Sequence, residues 1–229
     1  MKNTFVSLIY VYLLLVSGIL YAQNPTKTYQ EKAGNFALAF TGIVEKGYRT
    51  GYVNTPYYPT EYTSGSLTYR GVTYTDVKLR YDCLTKRLVV LSPDGKFNRV
   101  LSPEEISRAI IGNTSFVYFD SQKAKPGEGY YAVVYEGKDF SIYKQIYVSN
   151  INKESNGKVM LQKISLKERL FLLKEGEWDQ LSGKSSFIKH FKNHKEELND
   201  YCKTHQLNPG KKNETDWQKL AEYCETLIK

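Results

Sequence analysis

Two histidines stand at the spacing of many zinc-binding pairs. His190 and His194 are four residues apart, so a helix would place both on one face. The position after the first histidine, where a zinc protease carries its glutamate, is Phe191. Three lysines flank the pair: Lys189, Lys192 and Lys195. Because their ammonium groups would repel a dication, we predict a solvated helix face here, with no metal site and no cofactor.

Two cysteine thiols and one glycine-containing motif are the next candidates for a catalytic or phosphate-binding role. Cys202 has His205 nearby, and Cys83 stands alone, but no partner motif surrounds either thiol. Gly183-Lys184-Ser185 resembles the end of a phosphate-binding loop, yet the glycine required five residues earlier is replaced by Trp178. We therefore expect structural cysteines and no phosphate loop.

A disulfide between Cys202 and Cys224 would leave Cys83 unpaired. If the first two lie near the C-terminal ends of antiparallel helices, about 10 Å along the axis separates them, beyond the reach of a disulfide. The geometry disfavours the bridge, and only an irregular hairpin would allow it.

A hydrolytic site would need an acid and a base in one pocket. Asp82 or Asp120 beside a histidine would supply them. All three histidines fall in the C-terminal segment, which disfavours such a site. No catalytic residue is predicted, and a hydrolase with an unrecognised site is kept as an alternative.

Tyrosine is the unusual feature of the composition, with 20 residues concentrated around 48–81 and 130–147. Exposed tyrosines offer rigid amphipathic contact area to partners or sugar rings, whereas tyrosine is also a good strand former on half-buried sheets. The cluster bordered by two prolines is the best candidate for an exposed binding surface. Its members are Tyr57, Tyr58 and Tyr62.

The elements that must position these residues are mostly strands. From Ser66 the apolar residues recur with period two, as a half-buried strand requires, and the phase shifts at Thr75-Asp76, which predicts a bulge or a tight turn. The apolar run Leu88–Leu91 is followed by Asp94-Gly95, a strong hairpin signal. Pro56 and Pro59 predict an edge or a covering loop, because proline lacks a ladder donor.

Further strands are predicted over 130–135, 141–148, 158–164 and 169–173, with turns at Asn156-Gly157 and Glu175-Gly176. Residues 103–110 fit either a helix start or the first strand of a hairpin around Gly112-Asn113. Short turns between strands indicate antiparallel pairing.

The apolar period becomes helical after Ser182, over 185–205 and 213–228, and Asn213 begins the second helix as a cap. The predicted fold is mainly β (α+β): an antiparallel sheet, sandwich or half-barrel over 35–182, with a C-terminal helical hairpin over 183–229 packed on it. Residues 23–34 are polar and predict a flexible leader.

Residues 1–22 have the pattern of a cleaved signal peptide. Lys2 is followed by an uncharged apolar stretch from Phe5 to Leu20, shorter than the roughly 20 residues that cross a bilayer, and Ala22 precedes the expected cut. Cleavage after Gly18 is the alternative cut, and an uncleaved anchor is the competing interpretation of the segment. No transmembrane segment is expected in the mature chain after cleavage. The net charge is +8, but acidic residues are interspersed with the basic ones along the chain. A nucleic-acid-binding surface would instead cluster lysine and arginine on one face.

The stretch Gly65–Tyr74, continuing through Val77–Asp82 to Leu88–Val90, resembles an uncharacterised family of exported, β-rich proteins from Gram-negative bacteria. A later strand and turn at Leu172–Trp178 and the helical tail at Ser185–Leu227 are similar to members of that family. The resemblance implies a cell-envelope setting and assigns no reaction or site residue. The chain departs from the pattern at the cysteine that follows Tyr81-Asp82.

These observations predict a non-catalytic cell-envelope module that binds a protein, glycan or lipid partner and lies in the periplasm or against the outer membrane. A periplasmic lipid carrier is the second alternative, and it would require an apolar cavity inside a curved sheet. The oligomeric state is left open.

Overall fold

The computed structural model describes residues 25–48, 52–155, 160–210 and 213–228. Within them eleven strands form one antiparallel sheet. The strands are β1 (Ile43–Val44), β2 (Tyr57–Tyr69), β3 (Val72–Asp82), β4 (Arg87–Leu91), β5 (Asn98–Val100), β6 (Ile106–Ile111), β7 (Thr114–Phe119), β8 (Gly129–Glu136), β9 (Phe140–Ser155), β10 (Met160–Lys174) and β11 (Glu177–Leu181). The predicted β-rich fold is confirmed. The predicted signal peptide and the Asn156-Gly157 turn lie outside the described residues.

The sheet consists of two meanders that share β2. Its strand order is β1-β5-β4-β3-β2-β6-β7-β8-β9-β10-β11. Asp94-Gly95 turns the chain from β4 to β5, with φ of +72° at the glycine, as predicted. The predicted bulge is also present, because the register with β2 skips Asp76, whose φ is +55°.

The position of β2 agrees with the prediction at its start. Residues 65–69 of β2 lie between β3 and β6, but the proline-bearing start of the strand pairs with β3 alone and is therefore an edge, as predicted. Pro59 is tolerated because it falls in a register break: Tyr58 pairs with Tyr81, and the next pair is Thr63 with Leu79. In this described register the missing N–H of Pro59 interrupts no ladder bond.

Two further strand predictions are resolved. Residues 103–105 form a single 3-10 turn, and β6 and β7 then make the hairpin around Gly112, so the hairpin alternative is confirmed. The two strands predicted over 158–164 and 169–173 are one continuous strand, β10, which pairs with β9 along its length and has a register shift between Ser165 and Leu166. Residues 165–168, between the two predicted strands, are half-buried apart from the exposed Lys167 and continue the same strand.

The sheet is strongly curved. Four strand spacings separate β2 from β9, about 19 Å in a flat sheet. The ring of Tyr58 nevertheless lies 5.7 Å from Nζ of Lys144 and 6.4 Å from the ring of Phe116 in β7. Tyr52, just before β2, makes an isolated parallel bridge to Gln162 of β10. The beginning of β2 therefore crosses the face of the sheet that β7 to β9 present.

The helices lie at the two ends of the chain and are α1 (Pro25–Ala33), α2 (Lys184–Ile188), α3 (Lys195–Thr204) and α4 (Glu214–Leu227). α1 replaces the predicted flexible leader. It buries no residue, and the Gln30 amide holds it to the backbone of Thr75 at 2.7 and 3.2 Å. At the other end Asn213 caps α4 as predicted, since its side chain accepts a hydrogen bond from the N–H of Asp216.

Two apolar clusters fill one face of the sheet. The first lies under β2 to β8, with Leu67, Tyr74 and Leu79 fully buried. The second packs the C-terminal helices against β8 to β11 through Trp217 and Phe187, both fully buried. The predicted docking of the helical segment on the sheet is therefore observed, and it leaves a polar gap where the two clusters meet.

A third cluster covers the opposite face of β8 to β11. The indole of Trp178 contacts the rings of Phe119, Tyr131 and Tyr143, with centroid separations between 5.0 and 5.5 Å. Its N–H donates to the backbone oxygen of Lys123 at 2.8 Å, in the loop that closes this face. Both faces of β8 are consequently buried, which suits tyrosine as a strand former.

Candidate functional site

A buried lysine occupies the gap between the first two apolar clusters. Lys144 lies in β9 in phase with Ile142 and Ile146, so the alternation of the strand turns its side chain to the same buried face. The residue is 3 % exposed, and a lysine is almost never so buried without a partner. Its position makes it the centre of the candidate site.

Two carboxylates from separate elements hold the ammonium group. Nζ of Lys144 donates to Oε1 of Glu214 at 2.5 Å and lies 3.6 Å from Oε1 of Glu168. Glu168 comes from β10, beside β9, and Glu214 opens α4, which Trp217 anchors to the sheet. The glutamates are about one third exposed, at 32 % and 35 %. Burial opposes the charge of Lys144, but the hydrogen bond and charge of Glu214 prevail and raise its pKa.

The three charges line an open groove with a volume of about 890 Å³. Tyr58 and Glu214 border it, and β9 and β10 contribute the remainder together with one residue of β11. The β-strand residues that line it include Ile146, Tyr147, Leu166, Lys167, Arg169 and Gln180. The Arg169 guanidinium lies 3.9 Å from the centre of the Tyr147 ring. The groove thus combines aromatic surface with fixed donors and acceptors.

The structure separates the three predicted binding tyrosines. Tyr58 lines the groove and is half-buried, whereas Tyr57 is 6 % exposed. Tyr57 and Tyr62 enclose the guanidinium of Arg80, whose Cζ lies 3.4 and 4.1 Å from their ring centres. The prediction of one exposed tyrosine cluster is therefore wrong, because two of the three rings pack against Arg80. A binding role for Tyr57 and Tyr62 stays a prediction.

Hydrogen bonds fix these two rings further. The hydroxyl of Tyr57 donates to Glu45, and that of Tyr62 donates to Oδ1 of Asn98 at 2.7 Å. Burial raises the pKa of Tyr62 to about 12. Burial, followed by the hydrogen bond and charge of Glu45, raises the pKa of Tyr57 as well. Both hydroxyls therefore remain neutral donors at physiological pH.

The two aspartates considered for a hydrolase have structural partners. Asp82, 2 % exposed, accepts hydrogen bonds from the hydroxyls of Tyr48 and Thr85 and from two backbone N–H groups. Asp120 accepts from the N–H groups of Gln122 and Lys123. Neither has a histidine as a hydrogen-bond or ion-pair partner among the described residues, so the convergent acid and base do not form.

The histidines lie elsewhere and do not share a helix face. Nδ1 of His190 lies 3.8 Å from Asp179, and Nδ1 of His194 lies 3.8 Å from Glu197. The predicted helix over 185–205 is interrupted at Phe191, which has φ of −128° and ψ of 54°, so the expected i, i+4 arrangement is lost. Across the described ranges, no three residues of the types that ligate metals are grouped.

All three cysteines are free and buried. Cys202 and Cys224 both belong to the helical cluster and form no disulfide with each other. Burial raises the pKa of each thiol, to about 12 for Cys224. The thiols of this chain therefore have the environment of packing residues.

Sequence reasoning missed the lysine, its two glutamates and the groove. One local signal was present, because Lys144 falls on the apolar phase of Ile142 and Ile146, where a charge demands a partner. The partners have no local signal, since Glu168 and Glu214 lie 24 and 70 residues away in the chain. The pairing of β10 with β9 brings Glu168 to the lysine, and the docking of α4 brings Glu214.

An exposed apolar patch lies at the opposite edge of the sheet. It surrounds β1 and the neighbouring β4–β5 turn and consists of Phe36, Leu38, Ile43, Val44 and Phe97. Phe36 and Ile43 are 85 % and 79 % exposed. The patch is separate from the lysine groove and provides a second surface against which ligand binding can be judged.

Comparison of the chain with family models, with curated proteins and with solved structures gives no match. Among the helices of the described ranges, none has the length and apolar character needed to span a bilayer. A proposal for the function of the chain therefore depends on its own geometry.

Proposed function

We propose that this chain is a non-catalytic, exported binding module of the cell envelope, and that its ligand is a glycan held in the Lys144 groove. The observation that carries the proposal is the pair of partly exposed carboxylates fixed by a buried ammonium at the side of an open groove. Glu168 and Glu214 can accept hydrogen bonds from sugar hydroxyls. Because Lys144 holds them in place, little side-chain entropy is lost when a ligand binds.

The aromatic border of the groove supports the same ligand class. Tyr58 offers a rigid ring of the kind that packs against the apolar face of a sugar, and its neighbours Lys167 and Arg169 add donors. Charged and aromatic groups in one open groove suit a ligand that is polar at its edges and apolar on its faces. The sequence pattern of residues 1–22 and the family resemblance support the proposed export and envelope setting.

The protonation state of Lys144 favours a non-catalytic role over a hydrolase. Its raised pKa keeps Lys144 an ammonium at neutral pH, so its amine is neither a base nor a nucleophile. A lipid carrier is disfavoured because fully buried side chains fill the face enclosed by the curved sheet, and an acyl chain in the groove would lie against charges.

A panel of immobilised bacterial surface glycans and peptidoglycan fragments, probed with labelled protein, tests the proposal. For a bound glycan we expect Glu168→Gln to weaken affinity roughly tenfold to a hundredfold, since a hydrogen bond to a charged acceptor is lost. Tyr58→Leu should weaken it by removing the stacking surface. Matched controls are Glu222→Gln on the exposed side of α4 and Tyr29→Leu in α1, which should bind like wild type.

Binding that survives both groove variants, or no binding to any glycan, would contradict the proposal. Mass spectrometry of the glycans after incubation distinguishes the hydrolase alternative. Intact glycans agree with a binding module, whereas shortened products that disappear with Glu168→Gln would establish hydrolysis instead.

A further inference from the structure

A second groove lies on the helical end of the molecule and has a different charge. It forms where α2 and α3 meet, has a volume of about 600 Å³, and is bordered by Ser185, Ile188, Lys189, Lys192, Lys195 and Asn199. None of these six residues is acidic. The whole stretch 180–195 contains four lysines and two histidines but no aspartate or glutamate. This positive charge is confined to the stretch, because Asp179 precedes it and Glu196 and Glu197 follow it.

The three groove lysines are exposed and have no ion-pair partner among the residues that the structure describes. Lys189 follows α2, Lys192 begins a 3-10 turn, and Lys195 begins α3, so a change of chain direction brings them around one groove. Three ammonium groups on one surface feature attract an anion more strongly than the same charges dispersed.

The lining of this groove is also apolar in part. Ile188 is 5 % exposed and lies beneath the lysines, whose methylene stems add apolar surface. This apolar surface is small, so a ligand would be recognised mainly through its negative groups. An anionic lipid surface presents many phosphates in one plane, so the three lysines can meet it together.

We propose that this basic groove is a docking site for the phosphate headgroups of an anionic lipid surface. The contact is electrostatic and peripheral, because none of the large exposed apolar residues in the described ranges falls within 184–199. The lysines approach the membrane together, so each contributes to attraction within a Debye length of the surface. This site is independent of the glycan groove and adds a membrane-facing orientation to the molecule.

Co-sedimentation with vesicles tests the proposal on the full chain. One set of vesicles is phosphatidylcholine, and the other is an equimolar mixture with phosphatidylglycerol. The variant Lys189→Gln/Lys192→Gln/Lys195→Gln should lose on the order of 100-fold in partitioning to the anionic set, roughly fivefold for each lysine. High salt should release the wild type from the same vesicles.

The matched control is Lys78→Gln/Lys86→Gln/Lys96→Gln, which removes the same charge from exposed positions in the β3–β5 part of the sheet. It should stay within about threefold of wild type, because the helices that form the groove pack on the other half of the sheet, against β8 to β11. Equal losses in the two triple variants would overturn the proposal, since net charge would then explain binding. Equal binding of all proteins to both vesicle types would overturn it as well, as would wild-type binding to an anionic polysaccharide but not to anionic vesicles.

Discussion

Replacing Lys144 by methionine should destabilise the fold. Methionine keeps most of the apolar stem of the lysine but leaves Glu168 and Glu214 without the ammonium between them. Removal of one partner from a fully buried pair costs about 3–5 kcal/mol. Since each carboxylate is about one third exposed, water compensates in part, and we expect a loss of about 1–3 kcal/mol in the free energy of unfolding at pH 7.

Urea unfolding followed by tryptophan fluorescence measures this loss, because Trp217 lies in the helix that Glu214 begins. The control Lys167→Met changes an exposed lysine of β10 and should shift stability by less than about 0.5 kcal/mol. The double variant Lys144→Met/Glu214→Gln should recover part of the loss, since one fewer carboxylate is left uncompensated.

The pH dependence gives a second signature. The folded pKa of Lys144 is raised above its ordinary value of 10.5, so its contribution to stability is fully present below pH 10.5 and is lost as pH rises through the folded pKa. The difference between wild type and Lys144→Met should therefore be constant at neutral pH and shrink in strong alkali. A methionine variant as stable as wild type at pH 7 would refute the structural role of the charge cluster.

Three further predictions concern the core. Leu88→Asp should lower the free energy of unfolding by several kcal/mol in urea titrations, because it buries a carboxylate at a fully buried position of β4; a change below about 1 kcal/mol would place that strand elsewhere. Burial raises the pKa of Tyr81 and Tyr130, so stability present below pH 10 should fall at higher pH. Absorbance at alkaline pH should show these phenols ionising with unfolding, and simple titration near pH 10 in the folded protein would contradict their burial. Cys202 and Cys224 should react with a thiol reagent only after denaturation, and rapid labelling of either in the native chain would contradict its buried environment.

Local patterns were sufficient for much of the sheet. The period of two predicted half-buried strands, Asp94-Gly95 predicted the β4–β5 hairpin, and the phase shift predicted a bulge or a tight turn at Thr75-Asp76, because each depends on backbone preferences within a few residues. Pro56 and Pro59 predicted an edge, and the start of β2 does pair with β3 alone. The same reasoning failed where residues distant in the chain decide the outcome.

The candidate site depends on such distant contacts. Tyr58 approaches Lys144 only because the sheet curves and β2 bends over its face, and no short segment encodes that approach. Tyr57 was expected to be exposed, but stacking on Arg80 stabilises a buried ring. The only local indication of the site was a lysine in phase with buried isoleucines. Its two glutamate partners could be identified only from the folded structure.

The most direct test of the glycan-binding claim is a map of ligand contacts by two-dimensional NMR. Backbone amide shifts of the labelled chain are recorded during titration with a glycan identified on the panel. The proposal predicts that the largest changes cluster at Tyr58, at 144–147, at 166–169 and around Glu214, and that Glu168→Gln abolishes them at the same glycan concentration. Changes centred instead on the apolar patch around β1, or on the basic groove at 185–199, would contradict it.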